Sequence, residues 1–346
     1  MKKYYFPLLL LFVISSNCFS QAYMEPLIKK SFAVNRHTNR DYPYWSQSDG
    51  NTTIITATTE RDSTFNDIQV IKLDAGMTAV WSKRISLPTS QSFDTPKATL
   101  VDSSGDIYVI ASSYTGILYD IGASSLFITK IAEDGTDLWS IDLGECVFQN
   151  AFIDEQGELR VVYTVISGNY ESLDFHFKKF DQAGSVTEDI VRNDAVDFNN
   201  NDISSLNYKT YYAGGYYYML YQRQLNLSSS PFGLREHFIK KINSSGMQTF
   251  PLNDFMDSAD SGFFDKGEFQ IDENSNMYFA YPLQNTPAYH FLKLNSGGAL
   301  VYQQNSPVGN SAQFLKSFIN PSGNFCVLNN RSSTSSGNIT TLHLTE

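Results

Sequence analysis

The feature that most constrains this chain is a short β-hairpin written six times. Its copies occupy residues 44–57, 98–111, 151–165, 205–221, 268–281 and 314–328. In the copy ATLVDSSGDIYVIA, residues 98–111, two runs rich in β-branched and aromatic residues flank Asp102-Ser-Ser-Gly105. Glycine tolerates the positive φ of tight hairpin turns, so Ser-Gly or Asp-Gly between β-forming runs predicts a hairpin. A second hairpin follows each of the first five copies, at 68–85, 126–143, 175–191, 237–250 and 290–304. Two hairpins in series make a four-stranded antiparallel meander. The turn glycines at 76, 135, 184, 246 and 297 lie 49 to 62 residues apart.

Four strands per unit at that period predict an all-β fold, a six-bladed β-propeller of four-stranded antiparallel blades. The sixth copy of the second hairpin starts at Ile339–Thr345, and Glu346 stands where its turn should begin. Pro26–Val34, ahead of the first complete copy, looks like a fourth strand without a blade; it resembles Val80–Leu87. The expectation is that the N-terminal strand completes the last blade, which removes the two exposed sheet edges of a linear array. Residues 21–346 are then one propeller domain.

Residues 1–20 read as a secretory signal peptide. Lys2 and Lys3 precede the apolar run 8–14, and Ser20 is a small residue where cleavage before Gln21 is expected. The mature chain is expected to be exported: secreted, periplasmic or at the cell surface. Cleavage moves the formal net charge from −11 to −13. That acidity argues against nucleic acid and anionic lipid as partners. No later run approaches the ~18 apolar residues of a membrane span, so no membrane insertion is expected. A monomer is expected. The remaining cysteines, Cys146 and Cys326, fall in non-adjacent repeats. A disulfide needs Cα atoms within about 7 Å, so two separate buried thiols are predicted.

The paired pattern D-x-x-G-x-[IV]-Y-V then F-[IV]-x-K with a following Gly and Trp is carried by Asp102–Val109 with Phe127–Trp139, and by Lys72–Trp81. It resembles the bacterial β-propeller repeat family called SBBP, and is similar to delta-60 and quinoprotein-like propeller repeats. It departs from them where Gly usually follows the second strand; Ala57 and Ala111 stand there. The resemblance implies a propeller and an exported location, and no single activity.

In an up-and-down blade the short turns share one face, and the second-to-third loops and blade crossovers share the other. The sequence puts its variable loops on that second face, at 58–67, 112–125, 166–174, 222–236 and 330–338. Variable loops on a rigid scaffold carry binding residues. The candidate ligand-binding residues are Tyr42, Tyr119, Asp120, Tyr170, Phe232 and Arg235, with Tyr114 beside them. They suit a protein, peptide or glycan ligand held by a non-catalytic binding or scaffold protein. The alternative is an extracellular polysaccharide hydrolase or lyase using carboxylates of crossovers 194–202 and 254–265 at the channel mouth. No G-x-S-x-G, H-E-x-x-H or phosphate-binding glycine loop is present, no catalytic residue is assigned, and no cofactor is expected.

Metal ligation is not expected at His176, His237 and His290. Each begins a His-Phe pair in an equivalent place of three successive units, too far apart on a ring for shared ligands near 2 Å. Asp197, Asn199 and Asn201 open a D-x-N-x-N pattern like a calcium loop. Asp202 and Tyr208 stand where that loop needs Gly and Glu. The same pattern at Asp272–Asn276 coincides with a hairpin turn and is read as one. Trp81 and Trp139 follow glycine turns at a fixed offset, which predicts docking between blades.

Overall fold

The computed structural model describes residues 42–48, 51–60, 66–87, 93–114, 124–167, 172–195, 203–225, 234–252, 267–282, 288–307, 312–319, 325–333 and 336–344. Regular structure among them is entirely β-strand. The first unit holds β1 (Tyr42–Ser48), β2 (Thr52–Glu60), β3 (Asn66–Asp74) and β4 (Ala79–Ile85). The second holds β5 (Phe93–Val101), β6 (Ile107–Tyr114), β7 (Ser124–Ile131) and β8 (Asp137–Glu145). The third is β9 (Val147–Ile153), β10 (Leu159–Ser167), β11 (Ser172–Phe180) and β12 (Val186–Ala195). The fourth is β13 (Ile203–Ala213), β14 (Tyr216–Leu225), β15 (Leu234–Asn243) and β16 (Gly246–Pro251). The fifth is β17 (Glu268–Ile271), β18 (Met277–Pro282), β19 (Ala288–Leu294) and β20 (Leu300–Pro307). The sixth shows three strands, β21 (Ala312–Ile319), β22 (Phe325–Ser333) and β23 (Ser336–Leu344). Within each unit consecutive strands pair antiparallel, and one parallel bridge, Asn66 to Phe93, joins the first two units.

The turns explain why the sequence breaks where it does. Asp102 Oδ1 accepts hydrogen bonds from the backbone N–H of Ser104 and Asp106 at 2.9 and 3.1 Å, and Gly105 takes φ 85°. An Asx side chain that bonds its own backbone two residues on mimics a turn and fixes its start. The same lock recurs at Asp154, Asp181, Asp272 and Asn295. At Asp272 the second carboxylate oxygen accepts from the Asn276 side chain and from Tyr278 Oη, at 2.8 and 3.1 Å. This D-x-N-x-N segment is a hairpin turn.

The second strands carry the core, and they do so on both faces. Along β6, Ile107, Val109 and Ala111 pack on the first unit while Tyr108 and Ile110 pack on the third. Along β10, Leu159, Val161 and Tyr163 face the second unit and Val162 faces the fourth. Along β14, Tyr217, Met219 and Tyr221 face the third unit, and Tyr218 and Leu220 the fifth. Successive sheets therefore stack face to face, with the strand period of two assigning alternate residues to alternate neighbours. Between the fifth and sixth units, Tyr278 meets Phe325 at 5.5 Å and Gln270 donates to Ser317. First strands of adjacent sheets touch, β1 with β5, β5 with β9, β9 with β13 and β17 with β21. The outermost strands keep exposed apolar residues such as Val80, Leu138 and Val301.

Strands run further than the sequence suggests. Thr58, Thr59 and Glu60 extend β2, Ser112 to Tyr114 extend β6, and residues 222–225 and 329–333 extend β14 and β22. Their polarity reads as loop, yet Thr58, Thr59, Ser112 and Ser113 are buried. Ser113 Oγ donates to Asp94 at 2.8 Å, which satisfies such a hydroxyl inside the stack. Cys146 and Cys326 are buried thiols, and burial, with Asp142 adding to it, pushes the Cys146 thiol up to about 12.

Candidate functional site

The seams between units repeat a docking scheme, and one seam departs from it. Counting four residues past the left-handed turn residue gives Trp81 after Met77 and Trp139 after Gly135. Trp81 Nε1 donates to the backbone oxygen of Glu133 at 3.0 Å, and its ring lies 3.2 Å from where a Cβ on Gly135 would stand. Lys72 Nζ, buried beside it, donates to the Glu133 backbone oxygen and carboxylate at 3.1 and 3.0 Å. At the next seam Trp139 Nε1 donates to the backbone oxygen of Gln182 at 3.0 Å, and its ring would meet a Gly184 Cβ at 2.9 Å. The Gln182 side chain spans the rest of that seam. It accepts from Tyr108 Oη at 3.2 Å and from Lys130 Nζ, and donates to the backbone oxygen of Gly157. Between the fourth and fifth units, Phe250 lies over Gly298.

At the seam of the third and fourth units the ring is missing. Glu188 stands four residues past Gly184, and Ser244, two before Gly246, replaces the long side chain of Glu133 or Gln182. These two replacements leave a cavity of about 380 Å³. Its walls include Glu188 and Ile190 of β12, Tyr212 and Tyr217 from the β13–β14 hairpin, and Asn243 and Ser244 of the fourth unit's second turn. Gly214 and Gly215, at φ 55° and 79°, let that hairpin turn in two residues at the rim. The cavity opens on the short-turn face.

Its floor is a charge network centred on Arg160, which stands six residues past Asp154 as Tyr108 stands past Asp102. Arg160 Nε donates to Asp154 at 2.9 Å, and Nη1 donates to Glu188 and to Tyr217 Oη, both at 2.9 Å. The guanidinium sits 4.3 Å from the centre of the Tyr212 ring, a cation–π contact. Lys179 pairs with Asp154 at 3.5 Å and with Glu158. Burial opposes the Arg160 charge, but the bond to Tyr217, both tyrosines and Glu188 outweigh it and hold its pKa above the ordinary value. Burial would raise the Asp154 carboxyl; the Glu158 backbone N–H, Arg160 and Lys179 together hold it below its usual range. Burial pushes Tyr217 up to about 12, so it stays a neutral phenol. Arg160 and Lys179 are thus committed to carboxylates, and Asn243 Oδ1 accepts from the backbone N–H of Ser245 and Gly246, both at 3.0 Å.

Tyr119, Asp120, Tyr170, Phe232, Asp197, Asn199 and Asn201 fall outside the described residues. Tyr42 opens β1 opposite Thr58, and Arg235 sits in β15 opposite Gln224; their side chains are also outside. Tyr114 is no loop residue: it ends β6, stacks on Phe93 at 6.1 Å and shares a hydrogen bond with Thr95. The three histidines sit in three different third strands. His176 stacks on Tyr163 at 4.8 Å beside Asp189, His237 is buried against Gln222, and His290 bonds Asn305 at 2.6 Å. None of the pocket residues was singled out from sequence, although Glu188 at the tryptophan position was a readable signal.

No family model and no curated protein matches the chain. Among solved structures it is similar to an α-L-arabinofuranosidase of Fusarium graminearum, at 9% identity and TM-score 0.47, covering 88% of this chain and 92% of that one. It is also similar to the β-propeller domain of the Trilobed protease of Pyrococcus furiosus, at 9% identity and TM-score 0.39, covering 87% and 92%. An exo-β-1,3-galactanase of Clostridium thermocellum aligns at 14% identity and TM-score 0.37, covering 86% and 71%. The face-to-face stack of four-stranded meanders is itself a propeller arrangement.

Proposed function

We propose that this chain is an exported, non-catalytic binding propeller of six blades, and that the open seam between the third and fourth units is a ligand site. The observation that carries the reading is the contrast between seams. Two of them are filled by a tryptophan, and the third keeps the same frame with Glu188 and Ser244 in place of the filling side chains. A concave cavity on a rigid β-scaffold, with a few polar groups converging on it, fits a binding role. Hydrolysis by a carboxylate pair fits these residues less well. Asp154 and Glu188 share one guanidinium, and Asp154 is held below the usual range, whereas a general acid needs a raised pKa.

The six-blade reading is supported by the six units and by the three strands of the sixth; its closure by Pro26–Val34 is part of the proposal, since that segment lies outside the described residues. Deleting residues 21–34 is expected to lower Tm far more than deleting an exposed tail of equal length; an unchanged melt counts against closure. Export is checked by mass spectrometry of the cell-envelope and secreted fractions, with cleavage before Gln21 expected. The binding reading is tested by a pull-down from the native envelope and a glycan array, with wild type and Glu188→Trp in parallel. A partner captured by wild type and lost in the variant supports it. Capture that ignores the variant returns the site to the long-loop face around Tyr119, Asp120, Tyr170 and Phe232.

A further inference from the structure

We infer that the seam pocket takes one neutral sugar residue of a glycan; this rests on the binding reading above and adds the ligand's chemistry. Charge narrows the class first. Arg160 is already bound to Asp154 and Glu188, and Lys179 to Asp154 and Glu158, while Arg192 beside the pocket donates to the backbone oxygens of Val191 and Asn243, so none of these cations is held ready for an anion. Glu155 and Glu188 in the walls would repel it. A cationic ligand would lie beside the Arg160 guanidinium and compete with it for Glu188.

Polarity narrows it further. An apolar ligand would strip water from Glu188, Asn243 and Ser244 without replacing their hydrogen bonds, and each such group costs free energy when left unpaired. A sugar hydroxyl both donates and accepts, which suits a wall that mixes carboxylate, amide, hydroxyl and glycine backbone. Ile190 and the Tyr212 ring supply a small apolar surface for the C–H face of a pyranose or furanose. A cavity of about 380 Å³ lies at the small end of ligand sites, which fits one ring and its linkage. The rim residues Glu155, Gly214, Gly215 and Ser244 are exposed, so the remainder of a chain can leave over the short turns.

The test is a titration of the exported chain, by calorimetry and ligand-observed NMR, with methyl glycosides of neutral hexoses and pentoses. Glucuronic acid, glucosamine and N-acetyltryptophanamide serve as the acidic, basic and aromatic alternatives. A neutral glycoside is expected to bind with a roughly millimolar Kd, about tenfold tighter than its charged counterparts. Glu188→Trp and Ser244→Gln each refill the slot as the neighbouring seams are filled, and each is expected to weaken binding about tenfold or more. Ser244 is an exposed turn residue, so its variant keeps the test valid if Glu188→Trp fails to fold. Equal binding by both variants overturns the inference. Preference for N-acetyltryptophanamide, or an envelope partner lost in Glu188→Trp without any sugar binding, overturns it while the binding reading stands. If no probe binds and no capture depends on Glu188, both fall.

Discussion

The second-to-third seam and the third-to-fourth seam are built on the same frame and solved differently. In the former, Trp139, Tyr108, Lys130 and Gln182 interlock, and one ring closes over Gly184. In the latter, Arg160 replaces the tyrosine, Glu188 the tryptophan and Ser244 the glutamine, and an ion-pair network does the joining. A packed ring joins sheets by excluding water, with little directional demand. A buried guanidinium joins them only while its carboxylates and phenol stay in place, and the space that the ring would fill stays open. The comparison teaches that a repeat protein can open a site by subtracting a side chain from one seam, provided another interaction takes over the joint.

The strongest way to break this comparison is Arg160→Met. It leaves Asp154, 1% exposed, with Lys179 at 3.5 Å as its remaining ion-pair partner. Removing one member of a buried pair costs about 3–5 kcal/mol. Chemical denaturation should show a loss in that range; a loss under about 1 kcal/mol would mean that the ion pair does not hold the seam. Trp139→Ala comes next. Its ring is half-buried, so a loss of about 2–3 kcal/mol is expected, below the ~3–5 of a fully buried aromatic. Gly184→Ala should also destabilise, since its Cβ would stand 2.9 Å from that ring at φ +84°. Combined with Trp139→Ala it should cost less than the sum, because the clash is gone.

Acid should separate the two seams. Asp154 has a native pKa below its unfolded value near 3.8, so the native chain binds fewer protons there. Its contribution to stability is full above that unfolded value and falls away as pH drops through the native pKa. Melting curves from neutral pH down to about pH 2 should therefore steepen in their loss of Tm below about pH 4. That component should be weaker in Arg160→Met, whose Asp154 lacks the guanidinium that lowers it. Ser244→Gln should have the smallest effect, within about 1 kcal/mol of wild type, because Ser244 is an exposed turn residue outside the Arg160 network. A larger destabilisation would show that the open slot is not equivalent to the filled ones.

Much of the fold was legible because its determinants are local and repeated. Asp102, Asp154 and Asp272 announce their turns by the side-chain bonds they make, and Trp81 and Trp139 announce seams by their offset from a turn. Loop boundaries were less legible. Thr58, Thr59, Ser112 and Ser113 look like loop residues, but neighbouring sheets bury them and satisfy their hydroxyls, which no local pattern declares. The pocket was least legible, for a different reason. A search for chemistry looks for residues that are present on variable loops, whereas this cavity exists because Glu188 and Ser244 are not tryptophan and glutamine. Only alignment of one unit on the next reveals it.

The two-sided burial of the second strands has a consequence for how the chain finds its pairing. In a sheet with one wet face, sliding a strand by one residue turns its apolar set toward water, and hydration itself rejects the error. Along β6, β10 and β14 both residue sets are buried, so the same slip exchanges one apolar neighbour for another. Misregistered hairpins are then told apart by shape and not by wetting, a much weaker proofreading signal during early collapse. Fidelity falls to the aspartate-locked turns at residues 102, 154 and 272 and to the Gly214-Gly215 pair, which fix the count of residues before any sheet meets its neighbour.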